Sequence, residues 1–112
     1  MYLPNPGDIV VLEVETDSWY QPREQQHLLV ISNDTFHKFT EMAIVCPIIQ
    51  DGNPSPLHIN CDKRTKTKGM IYCEHLKTID IRTRTLTFKE KISQEILTEV
   101  RDIIFGIMEK EE

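Results

Sequence analysis

Up to Lys91 the chain sets short apolar runs between turn-forming residues, a pattern of β-strands rather than helices. Gly7-Asp8 opens the first run, Ile9-Val10-Val11-Leu12-Val14, rich in β-branched residues, with Glu13 and Glu15 alternating at its end. Thr16 to Gln26 has no apolar period and predicts a polar loop, long enough to suggest function, that carries Trp19 and Tyr20. Leu28-Leu29-Val30-Ile31 predicts a buried strand, stopped by Ser32-Asn33-Asp34, and Asp34 is placed to cap a helical turn through Lys38. Met42 to Cys46 is a further apolar run, and Pro47 limits its pairing. Asp51-Gly52-Asn53-Pro54 signals a turn, Leu57-His58-Ile59 a short strand, Asp62 to Lys68 a basic loop, and Gly69 to Cys73 another strand. Thr78 to Phe88 alternates and reads as one or two strands.

Only the last segment has a helical period. Ser93 is an N-cap, with Glu95 in the first turn where the helix dipole favours an acid. Ile96, Leu97, Val100, Ile103, Ile104, Ile107 and Met108 then recur on one face, a stripe that predicts packing against the sheet. Short strands with turn-rich spacing and one late helix predict a mainly β fold, a small barrel or strongly bent sheet. With no linker or repeat, residues 1–112 are expected to form a single domain.

Charge changes the picture by its distribution. The net charge of −5 argues against a nucleic-acid partner, because phosphate binding rests largely on Lys and Arg. Residues 60–91, however, hold nine bases and four acids, while the segments before and after are acidic. That third either forms a cationic face that meets a polyanion, or a solvated surface whose bases pair with the acidic flanks. Within it, Lys63, Arg64, Lys66 and Lys68 are candidate phosphate contacts, and Trp19 and Tyr20 are candidates for stacking on bases or for packing.

Cys46, Cys61 and Cys73 are odd in number and form no C-x-x-C pair, so a disulfide framework is not expected and the reading is buried thiols in a reducing compartment. Four His and three Cys have no grouped spacing, and neither a metal nor another cofactor is expected. The chain has no apolar run long enough to span a membrane and no basic-then-apolar leader, so a cytoplasmic protein without membrane association is expected.

Read in order, the strand cores resemble those of the PemK/MazF toxins of type II toxin–antitoxin systems. The matching segments are Gly7-Asp8-Ile9-Val10, Glu24-Gln25, Leu29-Val30-Ile31-Ser32-Asn33-Asp34, Ile44-Val45-Cys46-Pro47-Ile48, Pro56-Leu57-His58-Ile59, Gly69-Met70-Ile71 and Lys77-Thr78-Ile79-Asp80, with Arg84 four residues on. Phe88, Glu90-Lys91 and Leu97-Thr98-Glu99-Val100 continue the likeness into the last helix, over roughly residues 6–104. The resemblance implies an SH3-like small barrel of the PemK/MazF/CcdB type with a C-terminal α-helix. It also implies a homodimer, metal-independent cleavage of single-stranded RNA, and a cognate antitoxin whose acidic tail lies over the RNA groove.

The sequence departs from the family at two positions. Gln26-His27 stands where the family's loop ends in a catalytic Arg followed by Pro, and Ile49 stands where its third strand ends in a catalytic Thr. Gln26 offers only neutral hydrogen bonds in place of a guanidinium, and Ile49 has no hydroxyl. Candidate replacements are Arg23 as a cation, Glu24 as a base, and His27 as acid or base. The family's Asp-Gln before Lys-Thr is Glu74-His75 here, so Gln26, Glu74, His75, Lys77 and Arg84 are the expected RNA-binding set, with Glu24, Glu74, His27 and His75 gathered in one groove. His58 is expected to be structural. Two functions follow: a sequence-selective endoribonuclease toxin with a rearranged site, or a catalytically silent relative that binds RNA or an antitoxin-like peptide. A gyrase poison of the related barrel class is disfavoured, because the sole Trp, Trp19, lies far from the C-terminus.

Overall fold

The computed structural model describes residues 2–15, 23–62 and 64–111. Among the described residues seven strands and two helices follow one another as β1 (Asp8–Glu15), β2 (Arg23–Val30), α1 (Asp34–Thr40), β3 (Met42–Ile49), β4 (His58–Cys61), β5 (Gly69–Tyr72), β6 (Lys77–Asp80), β7 (Leu86–Lys91) and α2 (Gln94–Met108). All pairings are antiparallel, in the order β4-β5-β3-β2-β1-β7, with β6 added to β3. The mainly β fold with a C-terminal helix is thus present.

The unbroken apolar runs of β1 and β2 are explained by two cores, one on each face of the sheet. Val10 and Leu12 join Leu28, Val30, Ala43, Val45, Ile79 and Ile81 on one face. Ile9 and Leu29 join Cys46, Ile48 and Ile71 on the other, under Ile96, Leu97, Val100 and Ile104 of α2. Alternate residues of one strand serve opposite cores, so the runs Ile9 to Leu12 and Leu28 to Val30 have little room for polar residues. Each fully buried Leu, Ile or Val contributes about 1.5–3 kcal/mol. A register shift between Ile9 and Val10 against β7 bends β1 where the two cores meet.

Pro47 sits inside β3. The Ile31 N–H bonds the Ile44 carbonyl. By alternation, Val45 and Pro47 turn their backbone groups to the other edge, where β3 passes from β6 (through Val45) to β5 (from Ile48). The missing proline N–H therefore falls at the junction between two partners, and the strand runs on to Ile49.

Other boundaries moved for local reasons. The cap of α1 is Asn33, whose Oδ1 accepts the Phe36 N–H at 2.9 Å, so Asp34 is the first helical residue. Ser93 caps α2 as expected, its Oγ accepting the Ile96 N–H at 3.2 Å. Ile107 and Met108 continue the apolar stripe but stand 49% and 69% exposed, past the end of the sheet. The Thr78–Phe88 segment splits into β6 and β7, because the Asp80 carboxylate accepts the Arg82 and Thr83 N–H groups and turns the chain. Asp8 is buried, and its carboxylate takes the Tyr2 hydroxyl, the Asn5 N–H at 2.9 Å and the Lys91 ammonium at 2.6 Å. The Gly7-Asp8 motif thereby ties the N-terminal segment to β7.

The three cysteines are buried in the core beneath α2 as free thiols. Burial pushes Cys46 up to about 12 and Cys61 and Cys73 up to about 11, so none is a thiolate at neutral pH.

Candidate nucleic-acid groove

β2 and β3 run in register with His27 opposite Ile48, and β5 continues that row with Ile71. Where the three strands end, Gln25, Gln26, His27, Pro47, Ile48, Ile49, Gln50 and Lys77 line a groove of about 400 Å³. His27, Ile48 and Gln50 also border a second hollow of about 200 Å³, whose other walls are Lys66, Thr67, Lys68 and Lys89. The two form one trough. Among the described residues four lysines line it and no acid does.

The cationic third of the sequence therefore divides. Arg64 pairs with Asp62 and Glu95 at 2.8 and 3.3 Å, Arg82 with Glu41 at 2.7 Å, and Lys91 with Asp8. Lys66, Lys68, Lys77 and Lys89 face the trough. Lys63 lies outside the described residues.

Two hydrogen bonds shape the floor. Lys77 Nζ donates to Gln26 Oε1 at 2.9 Å, so Gln26 holds a cation without supplying one. Lys89 Nζ lies 3.0 Å from His27 Nε2. An ammonium only donates, so Nε2 accepts and the imidazole is neutral. Burial, with the charge of Lys89 added, moves His27 below the ordinary histidine value. His27 is thus an unprotonated base beside a cation at neutral pH.

The remaining expected site residues are elsewhere. Glu74 and His75 occupy the turn between β5 and β6 and join His58 and Tyr72. His58 Nδ1 lies 2.7 Å from the Asn53 carbonyl and Nε2 lies 2.8 Å from Glu74 Oε2. Both partners accept, so both nitrogens carry hydrogen, and the ring is an imidazolium. The Asn53 carbonyl first, and then Glu74, raise His58 above its ordinary value. Burial disfavours the Glu74 anion, but the bond to His58, the Glu74 backbone N–H and the charges of His58 and His75 together outweigh it, and Glu74 is lowered. The Tyr72 ring stacks on His58 with centroids 3.6 Å apart, His75 meets its edge at 5.3 Å, and the Tyr72 hydroxyl accepts the Asn53 N–H. His58, expected to be structural, is the centre of this cluster. Arg84 is exposed in the bend after β6 and does not line the trough.

Of the expected set, Gln26, His27 and Lys77 come together, while the gathering of His75 and Glu74 with His27 is replaced by their attachment to His58. Residues 16–22, with Trp19 and Tyr20, lie outside the described residues. Arg23 to Gln26, expected as loop, form the start of β2, because Arg23, Glu24, Gln25 and Gln26 pair with Glu15, Val14, Glu13 and Leu12. That pairing places the Arg23 and Glu24 backbone at the end of β2 nearest the trough; their side chains lie outside the described residues. Lys89 escaped the sequence reading. Alternation along β7 puts it on the side of Thr87, and the strand register, which sets Thr87 and His27 both opposite Val11, brings that side to His27. Among the described residues no group of three or more His, Cys, Asp or Glu is placed to hold a metal ion, and no helix is long and apolar enough to cross a membrane.

Comparison with known proteins identifies the family and the fold. Residues 5–105 match the family model described as PemK-like, MazF-like toxin of type II toxin–antitoxin system. Endoribonuclease PemK of Escherichia coli is 21% identical over 98 residues, covering 84% of this chain and 74% of that protein. A MazE–MazF complex from Deinococcus radiodurans (form II) superposes with a TM-score of 0.85 at 19% identity, over 96% of this chain and 97% of that one. An endoribonuclease in complex with its cognate antitoxin, from a mycobacterial species, superposes at 0.76 with 8% identity, over 94% of each chain.

Proposed function

Because this chain belongs to the PemK-like, MazF-like toxins of type II toxin–antitoxin systems, we propose that it is a toxin that cleaves single-stranded RNA without a metal ion, with His27 and Lys89 at the centre of the reaction. The observation that carries this reading is a neutral imidazole held against an ammonium in a trough that, among the described residues, four lysines and no acid line.

The chemistry follows from the two groups. RNA supplies its own nucleophile, the 2′-hydroxyl next to the scissile phosphate. His27 takes that proton as the oxygen attacks phosphorus. Lys89 passes from His27 to a non-bridging oxygen and stabilises the charge that grows there. The P–O5′ bond breaks, and the departing oxygen takes a proton from water in the open trough. The products are a 2′,3′-cyclic phosphate and a 5′-hydroxyl. Lys77 and the remaining lysines hold neighbouring phosphates. Arg23 and Glu24 reach this end of β2 and are the next candidates for a catalytic cation and base.

The test is incubation of purified protein with a long RNA in chelator, followed by mapping of the cut ends. Defined cuts that carry cyclic phosphate and vanish in His27→Ala are expected, and the Glu24→Ala variant reports on the second base. No cleavage, together with no growth arrest on expression, overturns the reading.

A second reading has its own support. Ile49 is 40% exposed in the trough, and Gln26 is tied to Lys77, at the positions where a hydroxyl and a guanidinium serve catalysis in the resemblance. A silent relative would keep the cationic trough and bind RNA or an acidic antitoxin-like peptide without cutting. Either way the partner that fits is a polyanion, and a cognate antitoxin with an acidic tail would compete with RNA for the lysines. The assembly we propose is a homodimer; Phe105, Ile107 and Met108, exposed on the last turns of α2, support it. Light scattering on the purified protein tests it, and a monomer at micromolar concentration speaks against it.

A further inference from the structure

The loop between β4 and β5 is fixed from three directions. Glu90 on β7 takes the Lys66 N–H on Oε1 at 3.0 Å, and on Oε2 it takes both the Thr67 N–H and the Thr67 hydroxyl at 2.7 Å. The Thr65 N–H bonds the Asp62 carbonyl, and the Thr65 hydroxyl bonds the Thr67 carbonyl at 2.8 Å. Gly69 ends the loop at φ +134°, where its backbone passes so close to the Ile49 carbonyl that a Cβ would sit 2.6 Å from that oxygen. Thr65 and Thr67 are buried, so the alternate residues Lys66 and Lys68 face outward, both into the hollow beside His27 and Lys89. A lysine side chain ordinarily loses considerable rotamer freedom on binding, and a rigid backbone beneath it reduces what must be ordered.

We propose that Glu90 holds this loop as a phosphate subsite, in which Lys66 and Lys68 take a backbone phosphate of the RNA strand one step beyond the cleavage position. The inference rests on the nucleic-acid reading above and deepens it. Glu90 acts here as a positioning residue. All three groups it accepts are donors, so an amide in its place would set NH₂ against N–H. Burial works against the Glu90 anion, yet the Thr67 and Lys66 donors outweigh it and keep it ionised.

The charge of Glu90 makes the proposal testable against plain electrostatics. Glu90→Gln removes one negative charge beside the trough. A diffuse cationic surface would then bind RNA more tightly; a built subsite would bind it more weakly, because the loop loosens. The probe is a fluorescent single-stranded oligonucleotide, fully 2′-O-methylated so that it has no nucleophile, followed by anisotropy across a salt series. Lys66→Gln with Lys68→Gln is expected to lower the slope of log K against log salt by about 0.7, from the one phosphate the two lysines share. Lys38→Gln, on α1 and away from the trough, is expected to leave the slope unchanged. Glu90→Gln is expected to weaken binding.

A lysine double variant with the slope of Lys38→Gln overturns the subsite. So does tighter binding by Glu90→Gln, or an absence of binding by the unaltered protein. If Glu90→Gln does not fold, judged by circular dichroism, the lysine variant decides alone. Because the probe cannot be cut, a failure of cleavage in the unaltered protein does not touch this result. Cleavage with an unchanged slope removes the subsite and leaves the nuclease.

Discussion

The Lys89 ammonium reaches over β1 to lie 3.0 Å from Nε2 of His27, a residue sixty-two positions earlier in the chain. β1 lies between their strands, and Val11 pairs with His27 on one side and Thr87 on the other. The contact is therefore set by register. Replacing Lys89 with Gln removes a charge but leaves the burial of His27, which is the larger cause of its lowered value. The imidazole should titrate higher in Lys89→Gln, though not back to the ordinary value, and the acid limb of the cleavage profile should move with it. Proton NMR of the His27 ring across pH 4.5–8 reads the shift. The stability sign follows. A histidine lowered on folding binds fewer protons than in the unfolded chain, so stability falls as pH drops through about 6.5 and levels off below the folded value. His27→Gln should flatten that part of the curve. An unchanged His27 titration in Lys89→Gln would separate the two residues electrostatically.

Gly69 joins the fold to the trough at one atom. With φ at +134° and an added Cβ only 2.6 Å from the Ile49 carbonyl, Gly69→Ala meets backbone strain and a backbone clash together. The strain alone is about 1–3 kcal/mol. Urea denaturation should show a loss of at least about 1 kcal/mol. The clash pushes on Ile49, which lines the trough, so RNA affinity should fall as well. A variant of unchanged stability would mean that β5 slides without cost.

The strands, the capped last helix and the cationic third could be read from the sequence because each is a local signal. Ile9 to Leu12 had to be a strand whichever core it served, and Ser93 needed only the next three residues to act as a cap. The trough residues were legible in part. The family resemblance points to Gln26, His27 and Lys77, but the Lys89 contact depends on the bulge-shifted register of β1 and β7, which no local pattern states. Glu74 was read toward His27, yet the turn after β5 carries it to His58, where a stacked tyrosine completes the site. The start of β2 is not legible as strand because Arg23 to Gln26 are polar, and the hydrogen bonds of a ladder do not depend on side-chain polarity.

The His58–Glu74 pair carries the opposite pH sign to His27. The His58 side chain is 7% exposed and bridges the Asn53 carbonyl to Glu74, which fastens the β3–β4 connection to the turn after β5. A histidine raised on folding contributes stability that is fully present below about 6.5 and is lost as pH rises through the folded value. Glu74 is lowered, so it stays ionised throughout that window. Glu74→Gln should therefore be most destabilised relative to the unaltered protein near pH 6, with the gap closing above the raised His58 value. Urea midpoints between pH 5.5 and 8.5 measure this. A gap that is constant with pH would show that the pair contributes by packing on Tyr72 rather than by charge.

Gln26 and Ile49 bring the nuclease and its silent alternative to one experiment. Both line the trough, and Ile49 is open enough that Ile49→Thr should cost little, within about 0.5 kcal/mol for an exposed site. Gln26→Arg gives up the bond to Lys77 and supplies a guanidinium that holds two phosphate oxygens. One preorganised donor changes a rate by on the order of a hundredfold, and two that share a phosphate do not act independently. If His27 and Lys89 already run the reaction, the double variant should cut the same RNA faster and still depend on His27. If the unaltered protein binds without cutting, the double variant should gain cleavage that His27→Ala does not abolish, because the introduced pair then does the work. Cleavage by neither protein, with RNA bound by both, would show that the trough holds the strand away from in-line attack, and would leave peptide or RNA binding as its role.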